Sequence, residues 1–103
     1  MNTTGFIRGY MAKSMTASEY LQVVVKALSM EFGSKVIVEN ISQGDIRIVM
    51  DNYEVTTSIK DISELSKPYG IDKFILQSFA KQGFKFDINR SQYVQYCFGI
   101  YNQ

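Results

Sequence analysis

The stretch Ile46-Arg47-Ile48-Val49-Met50-Asp51-Asn52-Tyr53-Glu54-Val55-Thr56-Thr57-Ser58-Ile59 decides the fold. Ile46, Ile48 and Met50 alternate with Arg47 and Val49, and Tyr53, Val55, Thr57 and Ile59 alternate with Glu54, Thr56 and Ser58. A period of two places one apolar set on one face of a strand. Asp51-Asn52 between the runs reads as a tight two-residue connection, because both residue types tolerate left-handed backbone angles. Upstream, residues 35–41 are rich in β-branched side chains, and Ser42-Gln43-Gly44-Asp45 reads as a turn. The expectation is a three-stranded antiparallel meander with one apolar face, which a helix must cover.

That helix precedes the sheet. Thr16-Ala17-Ser18-Glu19 is a capping box, in which hydroxyl and carboxylate satisfy the orphan N–H groups of a helix start. Leu21, Val24, Val25, Leu28 and Phe32 follow at helical spacing, and Gly33 supplies a stop, so the spacing predicts a helix over 17–32. A second apolar row, Tyr20, Val23, Ala27 and Met30, lies farther round the same helix and calls for a second partner.

Downstream, Asp61-Ile62-Ser63-Glu64 suggests a short helical turn before Pro68 and Gly70. A helix is expected over 70–82, with Ile71, Ile75, Leu76 and Phe79 inward and Gly83 at the stop. Phe84 and Phe86 alternate like a short strand. Asp87 or Asn89 then caps a last helix carrying Tyr93, Val94, Cys97, Phe98 and Tyr101 on one face, with Gly99 limiting its length. The expected fold class is therefore α+β in the order α-β-β-β-α-α, with the helices on one face of the sheet. Residues 1–15 are expected as a flexible N-terminal arm and 16–103 as a single domain.

Composition narrows the chemistry. The chain has 103 residues, 46% hydrophobic and 20% charged, with a formal net charge of +1. This is globular composition, neither strongly basic nor strongly acidic. Histidine is absent, which excludes His-based triads, metal sites and proton relays. The single cysteine, Cys97, has no histidine to activate it and sits between Tyr96 and Phe98, where a small structural hydrophobe is expected. No phosphate-binding glycine loop or nucleophile elbow occurs. The expectation is a non-catalytic protein without cofactor, metal or small-molecule ligand. The lack of disulfides and of any long apolar run predicts a cytoplasmic location without membrane contact.

Two surfaces stand out as partner candidates. The first is aromatic and apolar: Tyr20, Val23, Ala27 and Met30 from the second stripe, joined by Arg90, Tyr93, Tyr96 and Tyr101 from the tail. Tyrosine and arginine are favoured at the centres of interfaces, and this set predicts a protein partner or a homodimer. The second is basic. Residues 36–64 carry net −4 and residues 65–103 net +3. Lys67, Lys73, Lys81 and Lys85, with Arg90, offer weak, salt-sensitive binding of nucleic acid.

The α-β-β-β-α order over about residues 16–83 resembles that of double-stranded-RNA-binding domains. The resemblance implies a basic opening to the second long helix, where this chain has Lys67-Pro68-Tyr69-Gly70-Ile71-Asp72-Lys73, two lysines separated by an acid. The same core order resembles restriction-type nucleases, which implies carboxylates at Asp45 and Glu54. The third-strand triplet here, Glu54-Val55-Thr56, lacks that family's lysine. The α-β-β-β-α-α order is also similar to that of some anti-CRISPR inhibitors, and implies an accessory or inhibitor protein of a phage or mobile element.

Overall fold

A computed structural model of the chain describes residues 3–99, with side chains from Ile7 onward. Its elements are α1 (Thr3–Ser14), α2 (Ala17–Phe32), β1 (Val36–Ser42), β2 (Asp45–Met50), β3 (Tyr53–Ser58), α3 (Ile59–Glu64), α4 (Gly70–Ala80), a 3-10 turn (Ile88–Arg90) and α5 (Gln92–Cys97). The expected α+β order is present, a helix, a three-stranded meander and then helices.

The sheet has the order β1-β2-β3 and both pairings are antiparallel. Val38, Ile48 and Val55 form one rung of its inner face, and Val36, Met50 and Tyr53 another. The connection at Asp51-Asn52 closes Met50 against Tyr53, with Asp51 in the left-handed region at φ 54°. α2 lies against β1 and α4 against β3. Leu21, Val24, Leu28, Ile71, Ile75, Leu76 and Phe79 are buried with Ile46, Ile48 and Met50 in one core. The opposite sheet face carries Glu39, Glu54 and Thr56 in the open, with Arg47 half-buried among them.

α2 starts and stops where the sequence places it. Thr16 Oγ1 accepts from the Glu19 N–H at 3.2 Å, the Thr16 N–H donates to Glu19 Oε1 at 2.9 Å, and Gly33 ends the helix at φ 64°.

Four details differ from expectation. Ile59 opens α3 instead of ending β3, because Ser58 caps that helix by accepting the Asp61 N–H at 3.1 Å. Phe84 and Phe86 pair with no strand; they pack as half-buried rings. Ser91, whose hydroxyl accepts the Val94 N–H, caps α5, while Asp87 caps the 3-10 turn before it. Finally, from Thr3 to Ser14 the expected arm is an α-helix, packed on α2. It supplies a partner for Tyr20, the first residue of the second apolar row, whereas Met30 at the other end of that row is 77% exposed.

At the start of α4 the chain is tightly folded. A Cβ on Gly70 would lie 2.5 Å from the Leu65 carbonyl oxygen, so only glycine fits there. The preceding Tyr69 adopts φ 63°, which turns its ring into the interior.

Candidate functional site

Asp72 is where the polar chemistry of the molecule converges. It stands on the apolar stripe of α4, three residues before Ile75 and seven before Phe79, and its side chain is 0% exposed. A carboxylate in that position is tolerated only if paired and hydrogen-bonded. The pairing comes from α1. Arg8, 6% exposed, sends its two terminal nitrogens to Asp72 Oδ1 and Oδ2, each at 2.8 Å. The parallel two-bond geometry is the strongest a guanidinium can make with a carboxylate. The Tyr93 hydroxyl on α5 donates a further, short hydrogen bond to Oδ2.

Aromatic rings surround the guanidinium. Its carbon stands 4.6 Å from the Tyr69 ring centre and 5.6 Å from that of Tyr20, within range of cation–π attraction. Arg8 also donates to the Tyr20 hydroxyl at 3.3 Å, and that hydroxyl donates to the Lys67 carbonyl at 3.1 Å. One buried network thus ties α1 to α2, α4, α5 and the loop before α4. The Tyr69 hydroxyl is buried without a hydrogen-bond partner among the described residues.

Burial and charge set the proton affinities here. Burial opposes the charge on Arg8, but the hydrogen bonds and charge of Asp72 overcome it and raise the guanidinium's pKa. Burial, then the negative charge of Asp72, pushes the Cys97 thiol up, so the thiolate a nucleophile needs is suppressed. Burial and the same charge raise Tyr93, and burial raises Tyr69 to about 12.

Both tyrosines are therefore held neutral when folded, whereas the unfolded chain ionises them near the ordinary value of 10.0. Tyr69's contribution is complete below that pH and is lost as pH rises from 10.0 toward about 12, while that of Tyr93 is lost over a range extending higher. In an alkaline titration, tyrosinate absorbance should show groups that ionise only as the circular dichroism collapses. All seven tyrosines titrating together in an unchanged fold would contradict this.

Among the described residues the interface candidates do not assemble into one exposed surface. Tyr20 is wholly buried in the ionic network. Val23 and Ala27 are half-buried, and Met30, 77% exposed, stands alone at the far end of that row. Arg90 is exposed but committed: its Nε donates to Glu31 Oε2 at 2.7 Å and its guanidinium lies 4.5 Å from the Phe32 ring centre. Tyr93 is occupied by Asp72, and the Tyr96 ring packs 5.6 Å from that of Tyr69. Tyr101 lies outside the described residues.

The basic candidates Lys67, Lys73, Lys81 and Lys85 are all exposed; Lys73 and Gln77 lie on the solvated side of α4, and Lys81 caps its C-terminal end. Asp45 stands opposite Ser58, whereas Glu54 stands opposite Val49. The two carboxylates are thus four rungs apart, roughly 13 Å at strand spacing, too far to share one metal ion. Among the described residues no group of three or more Asp, Glu, Cys or His could hold a metal, and no helix is long and apolar enough to cross a membrane. A small cleft of about 160 Å³ lies between α2 and the sheet, lined by Leu21, Val38, Ile46 and Ile59 among others.

The two sheet edges are treated differently. On β3, the Gln82 side chain imitates a neighbouring strand: its Oε1 accepts the Glu54 N–H at 3.0 Å and its Nε2 donates to the Glu54 carbonyl. On β1, no hydrogen bond from outside the sheet reaches the backbone of residues 36–42 among the described residues. That edge exposes Ile37 by 43% and Ile41 by 48%. A bulge between Asn40 and Ser42 leaves the segment before it regular.

Sequence reasoning missed both Arg8 and the edge. A carboxylate on the inward stripe of α4 was the available signal for a buried cation, but its partner is 64 positions away. No family model, curated protein or solved structure matches this chain.

Proposed function

We propose that this chain is a small, non-catalytic protein-interaction domain whose contact element is the β1 edge. The observation that carries this reading is the contrast between the edges. A strand edge left open, β-branched and bearing exposed isoleucines is a template for another strand, and such edges are normally blocked unless they are used. The chemistry of the interior is consistent with a binding role, because the buried Arg8–Asp72 network spends its charges on holding helices together.

The test is site-specific photo-crosslinking in cells expressing the chain, with the reactive side chain at Ile37 and, as a control, at Thr56 on the outer face of β3. Adducts of one recurring mass are expected at position 37 only, and should vanish when Val38→Pro removes a backbone donor and kinks the edge. Equal yields at both positions, or none at position 37, would overturn the proposal. The exposed lysine ridge supports a second reading, weak binding of nucleic acid. A low-salt gel shift lost in a Lys73→Glu, Lys81→Glu variant, with no adduct at Ile37, would transfer the function to α4.

A further inference from the structure

Resting on that reading of the edge, we infer that its occupant is a second copy of this chain, joined β1 to β1 in antiparallel register with Ile37 on the two-fold axis. In a continuous six-stranded sheet, inner-face residues must meet inner-face residues, which restricts a symmetric pairing to every second register. The strand starts at Val36, and the bulge between Asn40 and Ser42 confines its regular segment to residues 36–40.

Three registers remain, and charge separates them. Centring on Glu39 sets two carboxylates directly opposite each other, which is destabilising. Centring on Val38 sets Ile37 against Glu39 and Val36 against Asn40, apolar against polar each time. Centring on Ile37 sets Ile37 against its own copy and Val36 against Val38 twice, and brings Lys35, the residue just before the strand, opposite Glu39 twice.

The neighbouring strand extends that match. Ile37 pairs with Val49 on β2, so the outer face would carry an unbroken band of Val49, Ile37 and their two equivalents across the axis. Glu39 already receives Arg47 Nε at 3.0 Å, and Lys35 of the second copy would approach it from its free side. Lys35 is exposed and has no ion-pair partner among the described residues of the single chain. The edge is thus self-complementary in both charge and apolar contact.

The experiment is sedimentation velocity on the full chain over rising concentration, with complementary charge reversals. Wild type should show a concentration-dependent dimer. Lys35→Glu alone, and Glu39→Lys alone, each place like charges opposite one another twice and should weaken self-association about tenfold or more. Mixing the two variants makes both cross-strand pairs attractive again and should restore a dimer containing one chain of each. Circular dichroism confirms that each variant folds.

Should Glu39→Lys fail to fold, Ile37→Cys provides the second measurement. Two cysteines on the axis of an antiparallel pair lie within disulfide reach, so it should oxidise to a dimer faster than Ile41→Cys. A dimer indifferent to both charge reversals, or faster oxidation at position 41, overturns this register. A strict monomer overturns self-pairing altogether. In that case an Ile37 adduct to a different protein would still uphold the interaction reading, and its absence would end both.

Discussion

Asp72→Ala is expected to cost about 3–5 kcal/mol of folding stability, the usual penalty for stripping one partner from a buried ion pair. The substitution strands the Arg8 guanidinium, 6% exposed, without its counter-charge and leaves the Tyr93 hydroxyl without its acceptor. A domain of this size holds about 5–15 kcal/mol in total, so the urea midpoint should fall by about a fifth or more. Arg8→Ala should be comparably damaging, because it leaves a fully buried carboxylate uncompensated. A chain begun at Met15 loses Arg8 along with α1 and should suffer the same penalty, unlike the trimming of a solvated terminus. The pair Arg8→Met, Asp72→Leu is expected to recover most of the loss, since the attraction between buried charges largely offsets the cost of dehydrating them. The measurement is urea denaturation of the two alanine variants, the shortened chain and the paired variant. Single costs below about 1 kcal/mol, the level of an ordinary surface change, would show that the pair is hydrated and that α1 is held by something else.

This network also marks the boundary of what the sequence could reveal. Local signals were legible. The capping box at Thr16 and Glu19 and the stop at Gly33 place α2 to the residue, and strict alternation from Ile46 to Thr57 places the inner face of the sheet. Each depends on neighbours a few positions apart. α1 carries no such signal, since its first turn has no acidic residue, two glycines interrupt it, and its apolar residues form no strong stripe. Its chief polar anchor is Arg8, whose worth depends on Asp72, distant in sequence and brought near only by the packing of α4. The openness of β1 is likewise a property of topology: Ile37 and Ile41 read as ordinary strand residues until the order β1-β2-β3 leaves them at the rim. In the tail, spacing could rank Tyr93 inward but could not say that a carboxylate awaited it.

Phe79→Ala is expected to be the most damaging truncation of an apolar side chain, at about 3–5 kcal/mol. Phe79 is 0% exposed and its ring centre lies 6.0 Å from that of Tyr53 and 6.2 Å from that of Phe84. It therefore joins α4 to β3 and to the chain beyond the helix. From Phe84 the rings continue to Phe32 at 5.1 Å and Phe86 at 5.5 Å, and from Phe86 to Phe98 at 5.9 Å. Deleting the innermost ring opens a cavity that α4 cannot close, because Gly70 and Leu65 already hold its start in backbone contact. Phe98, half-buried at the outer end of the series, can be replaced by solvent on one side, so Phe98→Ala should cost less, on the order of 1–2 kcal/mol. The gradient is checked by denaturant unfolding of Phe79→Ala, Phe86→Ala and Phe98→Ala at equal slope. If Phe98→Ala instead left stability unchanged, the end of the aromatic series would be free of the core, and the tail would regain its claim as a contact surface.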